Sequence, residues 1–427
     1  MATQKADWTI LVYIAAHNNL DECGTRSLEQ ILRAGSSARV NVAVLYDSWQ
    51  GGAHYIASRP TRPEEKEPHT RLDSGDPNQL LATARWVFER CPAQRYGLVL
   101  WSHGSGYWDH AELKRIAQQA RGKMANIEEP ERHVATKSMA LFSTTLRKMM
   151  LNKSADERAI LFDDGTGHSV DTLELEKVCA AIHGLIGQPL DLLGMDACLM
   201  ATLEVAYQLR QHVSYLVASE ELVPGTSWPY DTILQKLHAM PDMSGADLAV
   251  QIVHDYSAYY ADNPPSLNKG DVTKIALDLA KIEQLVVPLQ RLSTALQNNL
   301  SDVYRVLHQS QYNAFLKETF QQRRNPSITK FGYHFWDVAT LVASLAINAE
   351  QVNIREAAAA MLAALKPGEA VLFEAHQGDW FDGIGGVSIY MAPPNLPVST
   401  AYGDLALDQA TGWGAMLKAY QDEHNAR

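Results

Sequence analysis

Two residues of the sequence, a cysteine and a histidine, have the chemistry of a nucleophile and its base. Cys198 ends the segment L-D-L-L-G-M-D-A-C, whose apolar first half, bounded by Pro189 and Gly194, predicts a buried parallel strand. The residues that follow predict a helix, so Cys198 would lie at a helix N-terminus, where the helix dipole lowers a thiol pKa. His103 follows a second apolar strand, predicted over 98–101, in Y-G-L-V-L-W-S-H-G. Such side chains at neighbouring strand ends would form a catalytic pair.

Either residue alone has a structural interpretation. A lone cysteine in apolar surroundings is usually a small core residue, and a lone histidine commonly caps a turn. Their combination at two strand ends favours catalysis. Gly104 and Gly106 leave backbone amides free to approach a ligand closely, so the backbone N–H groups of Gly104 and Cys198 are the candidates for an oxyanion hole.

These motifs, taken together, resemble the clostripain family of cysteine peptidases, which are relatives of caspases, legumains and gingipains. W-T-I-L-V-Y-I-A-A-H-N-N-L at 8–20 is similar to the opening strand and turn of that family, and A-S-E-E-L-V-P-G-T-S-W-P-Y-D at 218–231 to the segment after its cysteine. The resemblance covers most of residues 8–235 and continues more faintly to the end. It implies a caspase-hemoglobinase-like fold and an endopeptidase that forms an acyl-enzyme through a Cys198/His103 dyad.

The resemblance also implies a substrate pocket. The loop that carries Glu220, Thr226 and Trp228 would line S1, the slot for the P1 side chain preceding the cut bond. Asp196 matches the family aspartate of this pocket, and its carboxylate would pair with Arg or Lys at P1. The Arg/Lys-specific members tend to carry a second acid where this chain has Thr226. The alternative for Asp196 is a structural role as the cap of the helix after Cys198.

Composition limits the class of protein. A chain of 427 residues with 46% apolar residues forms one large domain or two ordinary ones. A net charge of −12 argues against nucleic-acid and anionic-membrane partners. Four cysteines without paired spacing predict reduced thiols. Since the start has no apolar signal region and no run is long enough to span a bilayer, we expect a soluble, cytoplasmic protein. The resemblance implies a bacterial protein that acts on a peptide or protein.

Strands alternate with helices of ordinary length through the first half of the chain, which predicts an α/β fold with a mainly parallel central sheet covered on both faces. Residues 1–265 would form the catalytic domain. Residues 266–427 would be a mostly helical part packed on it, with a late strand near 385–391. A Lys/Arg-rich insertion at 110–157 reads as an exposed cover. Some members of the resembled family cut themselves between His and Cys, and 113–124 or 125–137 would then be the site.

Two other functions compete with an active peptidase. One is a catalytically silent caspase-like scaffold that binds proteins in a regulatory or defence pathway, for which neither His103 nor Cys198 would be needed. The other is a different α/β enzyme, but the sequence has no G-x-S-x-G elbow, P-loop or strand-linked G-x-G-x-x-G. No cofactor is expected. The Asp163-Asp164 pair could hold a divalent cation, but turn chemistry is the favoured interpretation. The sequence makes no prediction of oligomeric state.

Overall fold

A computed structural model describes residues 5–59, 63–69, 72–106, 160–265, 272–308, 335–378, 383–391, 398 and 400–427. Its described strands are β1 (Ala6–Ala15), β2 (Val40–Ser48), β3 (Gly51–Ile56), β4 (Glu65–His69), β5 (Ala93–Trp101), β6 (Leu190–Asp196), β7 (Val213–Ala218), β8 (Val272–Asp278), β9 (Phe335–Asp337), β10 (Val371–Gln377) and β11 (Ser388–Tyr390).

Nine of these strands form one sheet in the order β10-β8-β7-β6-β5-β1-β2-β3-β4. The five central strands, β7, β6, β5, β1 and β2, are parallel. Two antiparallel strands extend the sheet at each side. Because parallel strands end at the same edge, the loops after β1, β5 and β6 meet there.

Helices cover both faces of this sheet. They are α1 (Asp21–Ala34), α2 (Pro77–Arg90), α3 (Thr172–Ile186), α4 (Leu203–Leu209), α5 (Tyr230–Ala239), α6 (Gly245–Asp262), α7 (Glu283–Gln297), α8 (Val338–Asn348), α9 (Val352–Ala364), α10 (Ala406–Thr411) and α11 (Trp413–Ala426). Residues 300–308 are also helical. Within the described part of the chain, none of these helices has the length and apolar character needed to cross a membrane.

The period of two along each strand creates a separate core on each face. In β1, for example, Leu11 and Tyr13 belong to the core that α2, α3 and the C-terminal helices cover, whereas Val12 and Ile14 face the core under α1, α5 and α6. The predicted α/β fold, with a mainly parallel sheet between helical layers and a largely helical C-terminal part, is therefore confirmed.

Several local predictions differ from the structure. No helix begins at Cys198; α4 begins at Leu203, after Thr202 accepts a hydrogen bond from the Val205 amide as the N-cap. The segment 59–76, predicted as a surface loop, contains β4, so β4 rather than β3 is the sheet edge. Ile160, in a predicted strand over 159–162, forms only isolated bridges with Gly104 and Val170 within the described residues.

The C-terminal part also departs from expectation. The strand expected from Lys274 is β8, and β10 was not foreseen; both belong to the central sheet, which therefore crosses the predicted domain boundary at 265. The late strand near 385–391 is β11, which pairs with β9 outside that sheet. The Ala-rich segment 337–365 predicts helix, and the structure has two helices there, α8 and α9. The domain division itself stays a prediction, and the 110–157 insertion lies outside the described residues.

Candidate active site

The sheet brings the backbones of the histidine and cysteine loops together. Trp101 of β5 pairs with Asp196 of β6 in parallel register. His103 and Cys198 each lie two residues beyond this pair, at the carboxyl ends of adjacent strands. The loops remain in contact past the strand ends, since a Cβ built on Gly104 would lie 2.4 Å from the carbonyl oxygen of Cys198. Only glycine permits so close an approach.

Backbone strain is concentrated around this edge of the sheet. Among the described residues, three that are not glycine have positive φ: Leu161 at 62°, Leu199 at 62° and Ser227 at 67°. Leu199 follows the cysteine, Leu161 precedes the phenylalanine beside His103, and Ser227 lies in the loop predicted to line S1. Such conformations cost about 1–3 kcal/mol each and persist where the surrounding structure imposes them.

The Cys198 thiol is buried and neutral in this structure. Cys198 is only 4% exposed, and its sulfur accepts a hydrogen bond from the Val223 amide at 3.2 Å. Burial raises the pKa of the thiol to about 12, a shift only partly opposed by the Val223 amide and the charge of Lys274. The expected lowering of the thiol pKa by a helix N-terminus is wrong, because five residues separate Cys198 from the first residue of α4.

His103 is also buried and neutral. Its Nε2 lies 3.0 Å from Oδ1 of Asn19, and its ring meets that of Phe162 edge to face with 6.2 Å between centroids. Burial lowers the pKa of His103 to about 3. Because the amide oxygen of Asn19 can only accept, this contact favours the tautomer with the proton on Nε2. Asn19 belongs to the family-like segment at 8–20, but the sequence does not predict its contact with His103.

Asp196 is fully enclosed by the loop after β7. Its Oδ2 accepts hydrogen bonds from the Ser227 hydroxyl, from the Trp228 amide at 3.2 Å and from the Tyr230 hydroxyl at 2.8 Å. Burial raises the pKa of this carboxyl, while Lys274 and these donors act in the opposite direction. The alternative role as a cap of a helix at Cys198 is wrong, since no helix begins there. Instead the carboxylate fixes the loop.

The other three predicted pocket residues are not equivalent. Trp228 is buried beside Asp196. Thr226 is exposed and its hydroxyl lies 2.7 Å from that of Tyr260. Glu220 is buried elsewhere: after burial itself, the nearby charge of Asp337 is the largest cause that raises its pKa well above the usual value. Among the described contacts, none joins Glu220 to Asp196.

Sequence reasoning missed a buried lysine at this site. Lys274 of β8 is 0% exposed. Its ammonium lies 4.2 Å from the ring centroid of Tyr256 and 5.1 Å from that of Trp228. Burial lowers its pKa to about 8, against the opposing charges of Asp196 and Cys198. The signal was present in V-T-K-I-A-L-D, where a lysine lies inside a strand that is mainly apolar.

Asp163 forms the turn that was expected of it. Its Oδ1 accepts hydrogen bonds from the amides of Gly165 at 2.8 Å and Thr166 at 3.1 Å. It also lies 3.0 Å from His17 Nδ1. Ligand atoms of His17, Asp47 and Asp163 lie within 4.8 Å of one another, a grouping that could hold a metal ion. Protein donors already engage Asp163, whereas His17 Nδ1 and Asp47 Oδ2 have no hydrogen-bond partner among the described residues.

A thiol and an imidazole at adjacent strand ends of such a sheet define a cysteine hydrolase of the α/β class. The model of the clostripain family matches residues 12–131 and 147–403, most of the chain. The chain therefore belongs to the clostripain family and is a cysteine peptidase that acts on peptides or proteins, as the sequence resemblance implied. Comparison with curated proteins gives no match.

Solved structures share this fold. A secreted C11 cysteine protease from Bacteroides thetaiotaomicron, in complex with an irreversible peptide inhibitor, superposes with a TM-score of 0.63 at 18% identity, covering 96% of this chain and 100% of the other. An inactive zymogen C11 protease from Parabacteroides distasonis gives 0.57 at 17% identity, covering 96% and 99%. The structure of a secreted C11 cysteine protease from B. thetaiotaomicron called "iotapain" gives 0.60 at 14% identity, covering 97% and 99%. At these identities the likeness shows the fold.

Proposed function

We propose that the chain is a cysteine endopeptidase in which Cys198 is the nucleophile and His103 is the acid and base. The observation that carries this proposal is the pairing of Trp101 in β5 with Asp196 in β6. His103 and Cys198 each follow this pair by two residues in the chain. The close approach of Gly104 to the Cys198 carbonyl keeps the two loops in contact.

The mechanism follows from these positions. As the Cys198 sulfur attacks the scissile carbonyl carbon, its proton passes to His103, and the bond to the leaving nitrogen breaks as His103 delivers that proton to the nitrogen. Backbone N–H groups of Cys198 and Gly104 are the proposed donors to the oxyanion. His103 then takes a proton from the water that hydrolyses the thioester. Asn19 is a positioning residue, because its Oδ1 fixes the tautomer and orientation of the ring.

The resting site must open before it reacts. Cys198 and His103 are 4% and 5% exposed, and the Val223 amide occupies the sulfur. A thiol of pKa about 12 and an imidazole of pKa about 3 are both neutral at pH 7, so they do not form an ion pair. Movement of the loop 219–228 would admit substrate and water, which restores the ordinary pKa range of both groups.

The test compares wild-type protein with Cys198→Ala and with Cys179→Ala as a matched control. Cys179 is equally buried, in α3, away from the strand ends. On a mixed fluorogenic peptide library, Cys198→Ala is expected to lose at least about 1,000-fold in kcat/KM, whereas Cys179→Ala retains most of the activity. Comparable losses in both variants, with folding intact by circular dichroism, would refute the assignment.

Self-processing between His103 and Cys198 is a further part of the proposal, supported by the position of the 110–157 insertion between these two residues in the chain. The intact mass of purified wild-type protein would then show two fragments, and that of Cys198→Ala one chain. A single uncut chain in both would remove this part alone. A cytoplasmic location is likewise proposed, supported by four cysteines that form no disulfide; cell fractionation with a cytoplasmic marker tests it.

The preference for Arg or Lys at P1 implied by the resemblance depends on a free carboxylate at Asp196. That carboxylate has three donors on one oxygen and a buried lysine nearby. A basic P1 side chain would have to compete with all of them. The surroundings of Asp196 therefore decide the P1 preference.

A further inference from the structure

The cluster around Asp196 contains polar atoms for which the described residues supply no hydrogen-bond partner. They are Asp196 Oδ1, Lys274 Nζ, Trp228 Nε1 and Tyr256 Oη. All four residues are at most 3% exposed. Buried polar groups are normally hydrogen-bonded, and leaving one unpaired costs about 1–3 kcal/mol. Four such atoms in one cluster indicate a pocket built for a polar group that the protein itself does not provide.

Contacts on Trp228 hold this cluster together. The Trp228 amide donates to Asp196 at 3.2 Å, and the Lys274 ammonium lies over the Trp228 ring at 5.1 Å and over that of Tyr256 at 4.2 Å. Asp196 and Lys274 interact through their charges without sharing a hydrogen bond. Asp196 Oδ1 and Lys274 Nζ are therefore both left without a hydrogen-bond partner among the described residues.

The cluster lies beside the nucleophile. Asp196 is two residues before Cys198, and Lys274 lies on β8 where that strand passes the end of β7, as shown by the hydrogen bond from the Ser219 hydroxyl to the Thr273 carbonyl at 2.6 Å. The charge of Lys274 also acts on the Cys198 thiol. The P1 side chain of a peptide bound at Cys198 would therefore lie close to Asp196 and Lys274.

We propose that Lys274 is the specificity-determining residue of the S1 pocket, and that it makes the enzyme select a neutral carboxamide, glutamine or asparagine, at P1 and reject arginine and lysine. This proposal rests on the proposed peptidase function of the same site.

Charge complementarity carries the choice of ligand. The Lys274 ammonium and the Asp196 carboxylate together leave the pocket without net charge. A P1 cation would meet a buried cation, and a P1 carboxylate would meet Asp196, so each carries an unfavourable like-charge contact.

Hydrogen-bond complementarity points to the same group. A lysine ammonium, an indole N–H and a phenol can donate, whereas the ionised Asp196 Oδ1 can only accept. A carboxamide has a carbonyl for the donors and an NH₂ for the acceptor. An apolar P1 side chain would leave every one of these groups unpaired, and polar sites reject such ligands strongly.

The experiment has a cleavage arm and a binding arm. Fluorogenic peptides that differ only at P1 (Gln, Asn, Arg, Lys, Glu and norleucine) are assayed with wild-type protein, with Lys274→Met and with Lys281→Met. Methionine matches the length of lysine without its charge, and Lys281 is an exposed lysine seven residues on that serves as control. The same peptides, uncleaved, are titrated against Cys198→Ala by fluorescence anisotropy, so binding is measured without chemistry.

In wild-type protein we expect kcat/KM for Gln or Asn to exceed that for Arg by about 100-fold or more. Lys274→Met should reverse this order, because Asp196 is left to pair with the P1 cation, and Lys281→Met should not change it. Adding Asp196→Asn to Lys274→Met should abolish the gain for Arg. In the binding measurement, Cys198→Ala should bind the Gln or Asn peptide more tightly than the Arg peptide.

Three results would overturn the proposal. The first is an equal or better rate or affinity for Arg or Lys in the presence of Lys274. The second is an equal loss on every P1 residue in Lys274→Met, with a shifted pH profile, which would mean that the lysine acts on the Cys198 thiolate. The third is no P1-dependent binding to Cys198→Ala. Selective Gln or Asn binding without cleavage by wild-type protein would support the pocket and refute the proposed peptidase mechanism instead.

Discussion

Substitution of Gly104 by alanine tests the contact between the catalytic loops directly. The added methyl group would lie 2.4 Å from the Cys198 carbonyl oxygen, 2.9 Å from Met200 Cγ and 3.0 Å from Ala197 Cβ. Ordinary contacts begin near 3.4 Å, so the loops must separate by about 1 Å. A misplacement of this size can reduce the rate about 100-fold. The overpacking itself should destabilise the protein by about 1–3 kcal/mol.

The matched control is Gly184→Ala. Gly184 lies within α3, and a Cβ built there meets nothing within 4 Å. Alanine in a helix is more stable than glycine by about 0.5–1 kcal/mol, so this variant should be stabilised and fully active. The assay is kcat/KM on the best peptide, with thermal unfolding measured on the same preparations. If Gly104→Ala keeps wild-type kcat/KM and stability while Gly184→Ala behaves as expected, the two loops do not meet as described and the proposed dyad loses its support.

Three other predictions concern buried ionisable groups. Asn19→Asp places a carboxylate beside Nε2 of His103, which should raise the acid limb of the pH profile of kcat/KM by at least about one unit; an unchanged limb would contradict the positioning role. Iodoacetamide should modify Cys198 at pH 7.5 at least about 1,000-fold more slowly than a free thiol, because a pKa of about 12 leaves little thiolate, and free-thiol rates would contradict the closed site. Burial raises the pKa of Asp47 to about 6, so its protonated form favours folding below about pH 4 and that stability, of order 3 kcal/mol, is lost as the pH rises through 6. Asp47→Asn should therefore raise the melting temperature at pH 7.5 and not at pH 4; a metal-dependent decrease at pH 7.5 would show that the carboxylate binds a cation with His17.

The sheet could be predicted because its central strands are short apolar runs that end in turn residues. The strand before His103 and the strand before Cys198 were both located, and parallel pairing then places their ends together. The helix predicted after Cys198 begins several residues before the observed helix, and the reason is physical. Leu199, Leu203 and Ala206 have the spacing of one helical face in the sequence, although Leu199 lies outside the helix, so this periodicity does not show where the helix begins. Thr202, an N-cap residue, did mark it.

Other features follow from contacts that no local pattern encodes. The edge strand Glu65–His69 reads E-K-E-P-H, a charged segment with a proline that resembles a loop, yet charge and proline are what protects a sheet edge. The surroundings of Glu220 could not be predicted, because the charge nearest to it in its effect, that of Asp337, comes from more than 100 residues further along the chain. The sequence predicts a strand that begins near Lys274 but not the burial of this lysine at the site, since its contacts come from three separate elements.

Burial changes what the catalytic groups can do before substrate arrives. The site combines strained backbone at Leu199 and Ser227 with a thiol and an imidazole that are both held neutral. Each of these features lowers the stability or the reactivity of the resting protein, and none is needed for the core of the sheet. A bound peptide would move the loop that carries Ser227, supply partners for Asp196 and Lys274, and hydrate the thiol. Substrate binding and activation would then be one event, so the residue that chooses the P1 side chain would also govern when Cys198 becomes reactive.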